Sequence, residues 1–177
     1  SRRRPRALPL AMIRPILRYG ERPLHQPAAD VTVFDDNLQR LIDDMIETMY
    51  AAPGIGLAAT QVGVPLRVFV VDVSVGRDRQ DLIVMINPAF AVREGMQLEE
   101  EGCLSVPGFN ATVVRPSRTV LTGLDRHGVE QTVEAKGLLA RAFQHEMDHL
   151  DGVVFVDRLR GINERIDLTE VEGLYAA

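Results

Sequence analysis

Residues 144–152 read Q-H-E-M-D-H-L-D-G and place His145, Glu146 and His149 within five positions. On a helix, His145 and His149 share one face with Cβ atoms about 5–6 Å apart. Both imidazoles can then reach one metal about 2.0–2.1 Å away. Glu146 is turned about 100° around the axis, so it flanks such a metal rather than binding it. A carboxylate there can hydrogen-bond water and carry a proton. H-E-x-x-H is a moderately specific signal. Its bland counterpart is an amphipathic helix with two histidines and a solvated glutamate.

Two histidines hold a metal loosely, so the third ligand decides the class. A metzincin continues H-x-x-G-x-x-H after the second histidine. Here Gly152 is present but Phe155 stands where the third histidine belongs, which closes that option. A thermolysin-like protease takes a downstream glutamate, and Glu164 and Glu170 are available. The other candidate is Cys103 in E-E-G-C-L-S, the chain's single cysteine. Taken alone, a buried structural cysteine is the commoner reading. As a thiolate beside two imidazoles it would complete a three-ligand site with an open position, the arrangement of catalytic metals. A closed structural metal module ranks last, because no second cysteine or third nearby histidine completes it.

A second stretch, G-I-G-L-A-A-T-Q from Gly54 to Gln61, matches the dinucleotide fingerprint G-x-G-x-x-A. That fingerprint must follow a strand and open a helix. Here it follows a helical pattern and precedes a strand, so the dinucleotide reading fails. The glycines suggest close backbone approach by a ligand, with Gln61 offering an amide donor.

These groups must be held by regular elements. From Asp35 to Tyr50, apolar residues at Leu38, Leu41, Ile42, Met45, Ile46 and Met49 mark one buried helical stripe. Asp35 or Asp36 can cap it, and Pro53-Gly54 ends it. Leu66–Val73 and Leu82–Ile86 are short and β-branched and read as strands. Ser117–Asp125 and Val129–Lys136 form a hairpin around Arg126-His127-Gly128, with Val129, Gln131, Val133 and Ala135 on the half-buried face. His127 is then a turn residue and His25, between Pro23 and Pro27, a loop residue. A last helix runs from Gly137 or Leu138 to near Gly152, which suits a left-handed C-cap. Helix, strands, hairpin, helix, without strand–helix alternation, is an α+β domain.

With 177 residues, 46% hydrophobic and 25% charged, the chain reads as a single catalytic domain over residues 1–177. A net charge of −5 argues against a dedicated nucleic-acid binder. One cysteine fits a reducing compartment, and no apolar run reaches the roughly 20 residues that span a bilayer, so no membrane partner is expected. Residues 1–11 carry Arg2, Arg3, Arg4 and Arg6 and no acid. An appended tag or a start set upstream of Met12 is the preferred reading, an organelle transit segment the alternative.

Three stretches taken together, Gly54–Gln61, Glu101-Gly102-Cys103-Leu104-Ser105 and Gln144–Gly152, resemble peptide deformylase, in that family's order and over roughly Met12 to Leu159. The resemblance implies mixed or antiparallel β-sheets packed around a central helix that carries H-E-x-x-H. It implies removal of the formyl group from N-formylmethionine of nascent polypeptides, releasing formate, in the bacterial cytoplasm or, as runner-up, an organelle. By similarity Cys103, His145 and His149 bind Fe2+, with Zn2+, Ni2+ or Co2+ as substitutes. Glu146 resembles the general acid/base for metal-bound hydroxide, and the Gln61 side chain and Leu104 backbone N–H resemble the oxyanion donors. The segment Gly54, Ile55, Gly56 would pair with substrate backbone. Ala142, Arg141 and Leu138 lie three, four and seven residues before His145 and, with Ile55, would wall a slot for an unbranched methionine side chain. Arg141 is the least expected of these, its stem packing while the guanidinium snorkels to water. Glu101 is placed at the substrate site, paired with Arg115 to brace the Cys103 loop. Some members carry a basic C-terminal helix used at the ribosome. Here residues 161–177 hold Glu164, Asp167, Glu170 and Glu172 against one Arg165. Any transient ribosome contact is therefore expected to be weaker or different.

Overall fold

The computed structural model describes residues 10–159. Helix α1 (Asp36–Ala51) begins where the Asp35 carboxylate accepts from the Leu38 N–H, satisfying one of the helix's orphan donors. Its six-residue apolar stripe is buried as the periodicity requires. Seven strands follow: β1 (Gly56–Ala58), β2 (Val68–Val71), β3 (Ile83–Glu94), β4 (Gln97–Cys103), β5 (Val106–Arg115), β6 (Arg118–Leu124) and β7 (Glu130–Lys136). Helix α2 (Gly137–Leu150) carries His145, Glu146 and His149. The order β1-β2-β3-β6-β7 makes one sheet and β4-β5 a separate ribbon, with every pairing antiparallel. Helices with antiparallel sheets make the α+β class.

Strand β2 is buried along its whole length because it separates two cores. Val68 and Val70 join the cluster around α1, whereas Phe69 and Val71 join the cluster that contains Ala142, Phe143 and Met147 of α2. Alternate side chains point to opposite faces, so a strand covered on both sides is apolar throughout.

Three expectations change. The strand expected to end at Ile86 continues to Glu94. Asn87 takes a left-handed conformation at a register shift between Ile86 and Ala89, and its amide bonds both N–H and C=O of Val31. Position 129, expected on the half-buried hairpin face, is exposed because β7 starts one residue later. His25 is not a plain loop residue: it closes a 3-10 turn (Arg22–His25) in which it and Leu24 are buried, and its Nε2 accepts from the Gly20 N–H. His127 does lie in an exposed turn. Gly152 has φ +78°, and a Cβ there would lie 2.8 Å from the Gln26 backbone. The second residue after α2 must therefore be glycine, which fixes the chain's exit from that helix. No helix among the described residues is long and apolar enough to cross a membrane.

Candidate metal centre and its cavity

Helix α2 supplies two imidazoles one turn apart, and the end of β4 brings Cys103 to them. The donor atoms of Cys103, His145 and His149 all lie within 4.8 Å of one another. Cys103 Sγ is 3.3 Å from His149 Nε2. The alternative third ligands, Glu164 and Glu170, lie outside the described residues, as do residues 1–9 and the acidic tail.

The second nitrogen of His145 shows why the cluster suits a metal. Its Nδ1–H donates to Glu101 Oε1 (2.7 Å), which turns Nε2 toward the sulfur. A carboxylate on the far nitrogen fixes tautomer and ring orientation and strengthens the imidazole as a ligand. Phe155 stacks on the same ring, with centroids 6.0 Å apart and planes 30° apart. The residue that occupies the missing third-histidine position thus packs against a histidine instead.

Burial pushes His149 well below its ordinary value, with repulsion from His145 and Arg115 adding to it, so the ring is neutral and has one lone pair to offer a metal. Burial also disfavours charge on His145, but hydrogen bonds to Cys103 and Glu101 outweigh it and hold that ring well above the usual range. Burial likewise acts to raise Glu101, yet bonds from Arg115 and His145 keep it ionised, well below the carboxylate range.

Glu146 is buried, and its Oε2 has no hydrogen-bond partner among the described residues. Burial pushes its pKa up to about 7, helped by the negative charges of Glu101 and Asp148 against the pull of His145 and Arg115. A buried carboxyl aimed at a cavity and poised near neutrality can both take and return a proton. Gly56 explains how the carboxyl fits, since a Cβ there would sit 2.7 Å from Glu146 Oε1. Gly56→Ala is therefore expected to lower turnover by at least about tenfold through displacement of Glu146, with a shift in Tm of only a few degrees. Parallel activity and melting measurements check this.

A cavity of about 650 Å³ opens over the cluster, bordered by Gly54, Ile55, Gly56, Gln61, Glu101, Leu104, Leu138, Arg141 and Ala142 as well as Cys103, His145 and Glu146. Gln61 is locked: Oε1 accepts from the Ala58 N–H (2.9 Å) while Nε2 donates to Ser105 Oγ (3.2 Å) and faces Cys103 Sγ (3.7 Å). Ala142 is buried, whereas Leu138 is 53% exposed and forms the rim. Arg141 does not reach water. It is 3% exposed, and its guanidinium binds Glu101, Gln97 and the Val113 carbonyl. The sequence expectation assumed open solvent beyond the helix, but the ribbon covers that face and offers better acceptors. Glu101 borders the cavity with both oxygens already engaged by Arg115, Arg141 and His145, so it acts on a ligand only indirectly.

Not anticipated at all was Asp148, which accepts from Arg115 (2.6 Å) and from both Nε and Nη2 of Arg158 (2.6 Å each). An acid between two predicted ligands was the available signal. Its arginine partners lie 33 and 10 residues away and share no spacing rule.

The family model described as polypeptide deformylase matches residues 13–165. A peptide deformylase from Thermodesulfovibrio yellowstonii is 50% identical over 151 residues, covering 85% of this chain and 92% of that protein. The crystal structure of a peptide deformylase from Legionella pneumophila superposes with a TM-score of 0.82 at 40% identity, covering 93% of this chain and 92% of that one. A peptide deformylase from Synechococcus elongatus, solved in complex with actinonin, gives 0.81 at 40% identity, covering 97% and 90%.

Proposed function

Because the chain belongs to the polypeptide deformylase family, and is a hydrolase of that type, we propose that this cavity removes the formyl group from N-formylmethionyl nascent peptides in the bacterial cytoplasm. The observation that carries the reading is the meeting of Cys103, His145 and His149 beside a buried Glu146 of raised pKa. Cys103, His145 and His149 would hold the metal. One thiolate with two imidazoles suits Fe2+, which the family resemblance favours, and also Zn2+, Ni2+ or Co2+. A divalent cation so held lowers the pKa of water to about 7 and polarises a carbonyl.

The remaining steps belong to the chain's own groups. Glu146 takes the proton of the water whose oxygen bonds to the formyl carbon. It returns that proton to the leaving nitrogen as the C–N bond breaks, yielding formate and a free amine. The Gln61 amide and the Leu104 N–H donate to the formyl oxygen as its charge grows, each such donor being worth about 10²–10³ in rate. The Gly54–Gly56 backbone aligns the peptide, while Ile55, Leu138, Ala142 and the stem of Arg141 receive the methionine side chain. Any ribosome contact would be weaker or different from that of members with a basic C-terminal helix, because the acidic residues 161–177 disfavour docking to RNA.

The test is formate release from a formyl-Met peptide by metal-loaded protein, with an unformylated peptide of the same sequence as control. Stoichiometric formate with the downstream peptide bonds intact is the expected result. Cleavage of those bonds, or none of the formyl group, overturns the reading.

A further inference from the structure

The three candidate ligands come from two pieces of the fold that share no sheet. His145 and His149 ride on α2, whereas Cys103 ends β4 of the separate ribbon. Something must register ribbon against helix closely enough to keep sulfur and imidazoles together. Two arginines cross that gap. Arg115, on β5, reaches Asp148 of α2. Arg141 crosses in the other direction, from α2 to the ribbon: Nη1 donates to Glu101, Nη2 to the Val113 carbonyl at 2.8 Å and Nε to Gln97 Oε1 at 3.2 Å.

As a counter-charge Arg141 is surplus. Glu101 and Asp148 face three arginines, the buried Arg115 and Arg141 and the exposed Arg158, and Arg115 already binds both oxygens of Glu101. What Arg141 adds is direction. Its planar fork ties one Glu101 oxygen to the helix that bears His145, while the other oxygen holds His145 Nδ1. Arg141 also borders the cavity one turn before His145.

We propose that Arg141 is a positioning residue that makes the cavity wall and the alignment of His145 one device: its stem faces the substrate side chain, and its guanidinium sets Glu101, which sets the ligand ring. The inference rests on the deformylase reading of the cavity. A wall residue chosen only for shape would leave its polar end in water, and a simple staple would not end on the carboxylate that orients a ligand.

Arg141→Met keeps an unbranched apolar stem and removes the fork, leaving Glu101 and Asp148 balanced by Arg115 and Arg158. With Zn2+ or Co2+ loaded and no substrate present, loss of metal to a chromophoric chelator is expected to quicken by about 10–100-fold, the usual effect of losing an outer-shell partner. The visible spectrum of the Co2+ form should shift. With a formyl-Met peptide, kcat should fall while KM stays within about twofold, the signature of a group that acts on the reacting geometry. Arg141→Lys, a cation without the fork, should fall between. Wild-type metal loss and spectrum in Arg141→Met, or a rise in KM alone, overturns the proposal, as does a drop in Tm without faster metal loss. Should Arg141→Met not fold, Gln97→Ala leaves Arg141 in place but frees its Nε, and unchanged metal loss there is equally fatal. Metal loss and spectrum are read without substrate, so they stand or fall separately from formate release.

Discussion

Replacing Glu146 by glutamine is expected to lower kcat/KM for a formyl-Met peptide by at least about 10²–10⁴-fold with the metal still bound. Glu146 lies outside the donor cluster of Cys103, His145 and His149, so its loss removes no ligand. Glutamine keeps the shape that fits under Gly56 but can neither take a proton nor return one. The same change should not cost stability, and the sign follows from the pKa. Burial holds the Glu146 value at about 7 against an ordinary 4.5, so between about pH 4.5 and 7 the folded chain keeps a proton that the unfolded chain has released. Stability contributed by this site therefore declines as pH rises from about 4.5 to about 7, and above that range the fold carries a buried negative charge. A neutral amide avoids it. Metal-free Glu146→Gln should melt at or above the wild-type temperature at pH 8. Metal analysis, melting curves and formate release on one preparation separate the two effects. Turnover within tenfold of wild type would remove Glu146 from the proton-transfer role.

The parts of this site that sequence exposes are those whose spacing is set by a single element. His145, Glu146 and His149 are read from one helical turn, and the buried stripe of α1 from its 3.6-residue period. Strand β2 was visible because burial on both faces makes it uniformly apolar. The ribbon was not visible. Its first strand reads Q-L-E-E-E-G-C, with three acids in a row and Leu98 exposed, because pairing with β5 rather than burial builds it. Glu101 is the one acid of the three that turns inward, and the sequence marks it only by adjacency to Cys103. The expected Glu101–Arg115 pair exists, but its extension to Asp148, Arg158 and Arg141 depends on α2 lying against the ribbon. Arg141 misled for the same reason: helical spacing correctly put it beside His145, yet nothing local says that acceptors rather than water lie beyond its stem.

Substituting Cys103 by serine is expected to abolish metal retention and, with it, turnover. Removing a partner that merely orients a ligand weakens metal binding by about 10–100-fold, and removing a ligand must exceed that, since two imidazoles alone are left. Serine is smaller and its alkoxide is not available near neutral pH, so it cannot replace the thiolate for a borderline metal. The metal-free fold should survive the change: Cys103 is only half-buried, and the strand end it occupies is held by pairing with Val106. A second consequence is read without any metal. His145 sits well above its ordinary value partly through its bond and charge contact with Cys103. In metal-free Cys103→Ser that support is lost, and the His145 ring should titrate lower by NMR, with Glu101 remaining as its partner. A protease using a downstream glutamate would tolerate this substitution, because the sulfur would have no part in its site. Full metal content and full formate release in Cys103→Ser would therefore exclude the three-ligand centre, however closely Cys103 Sγ approaches His149.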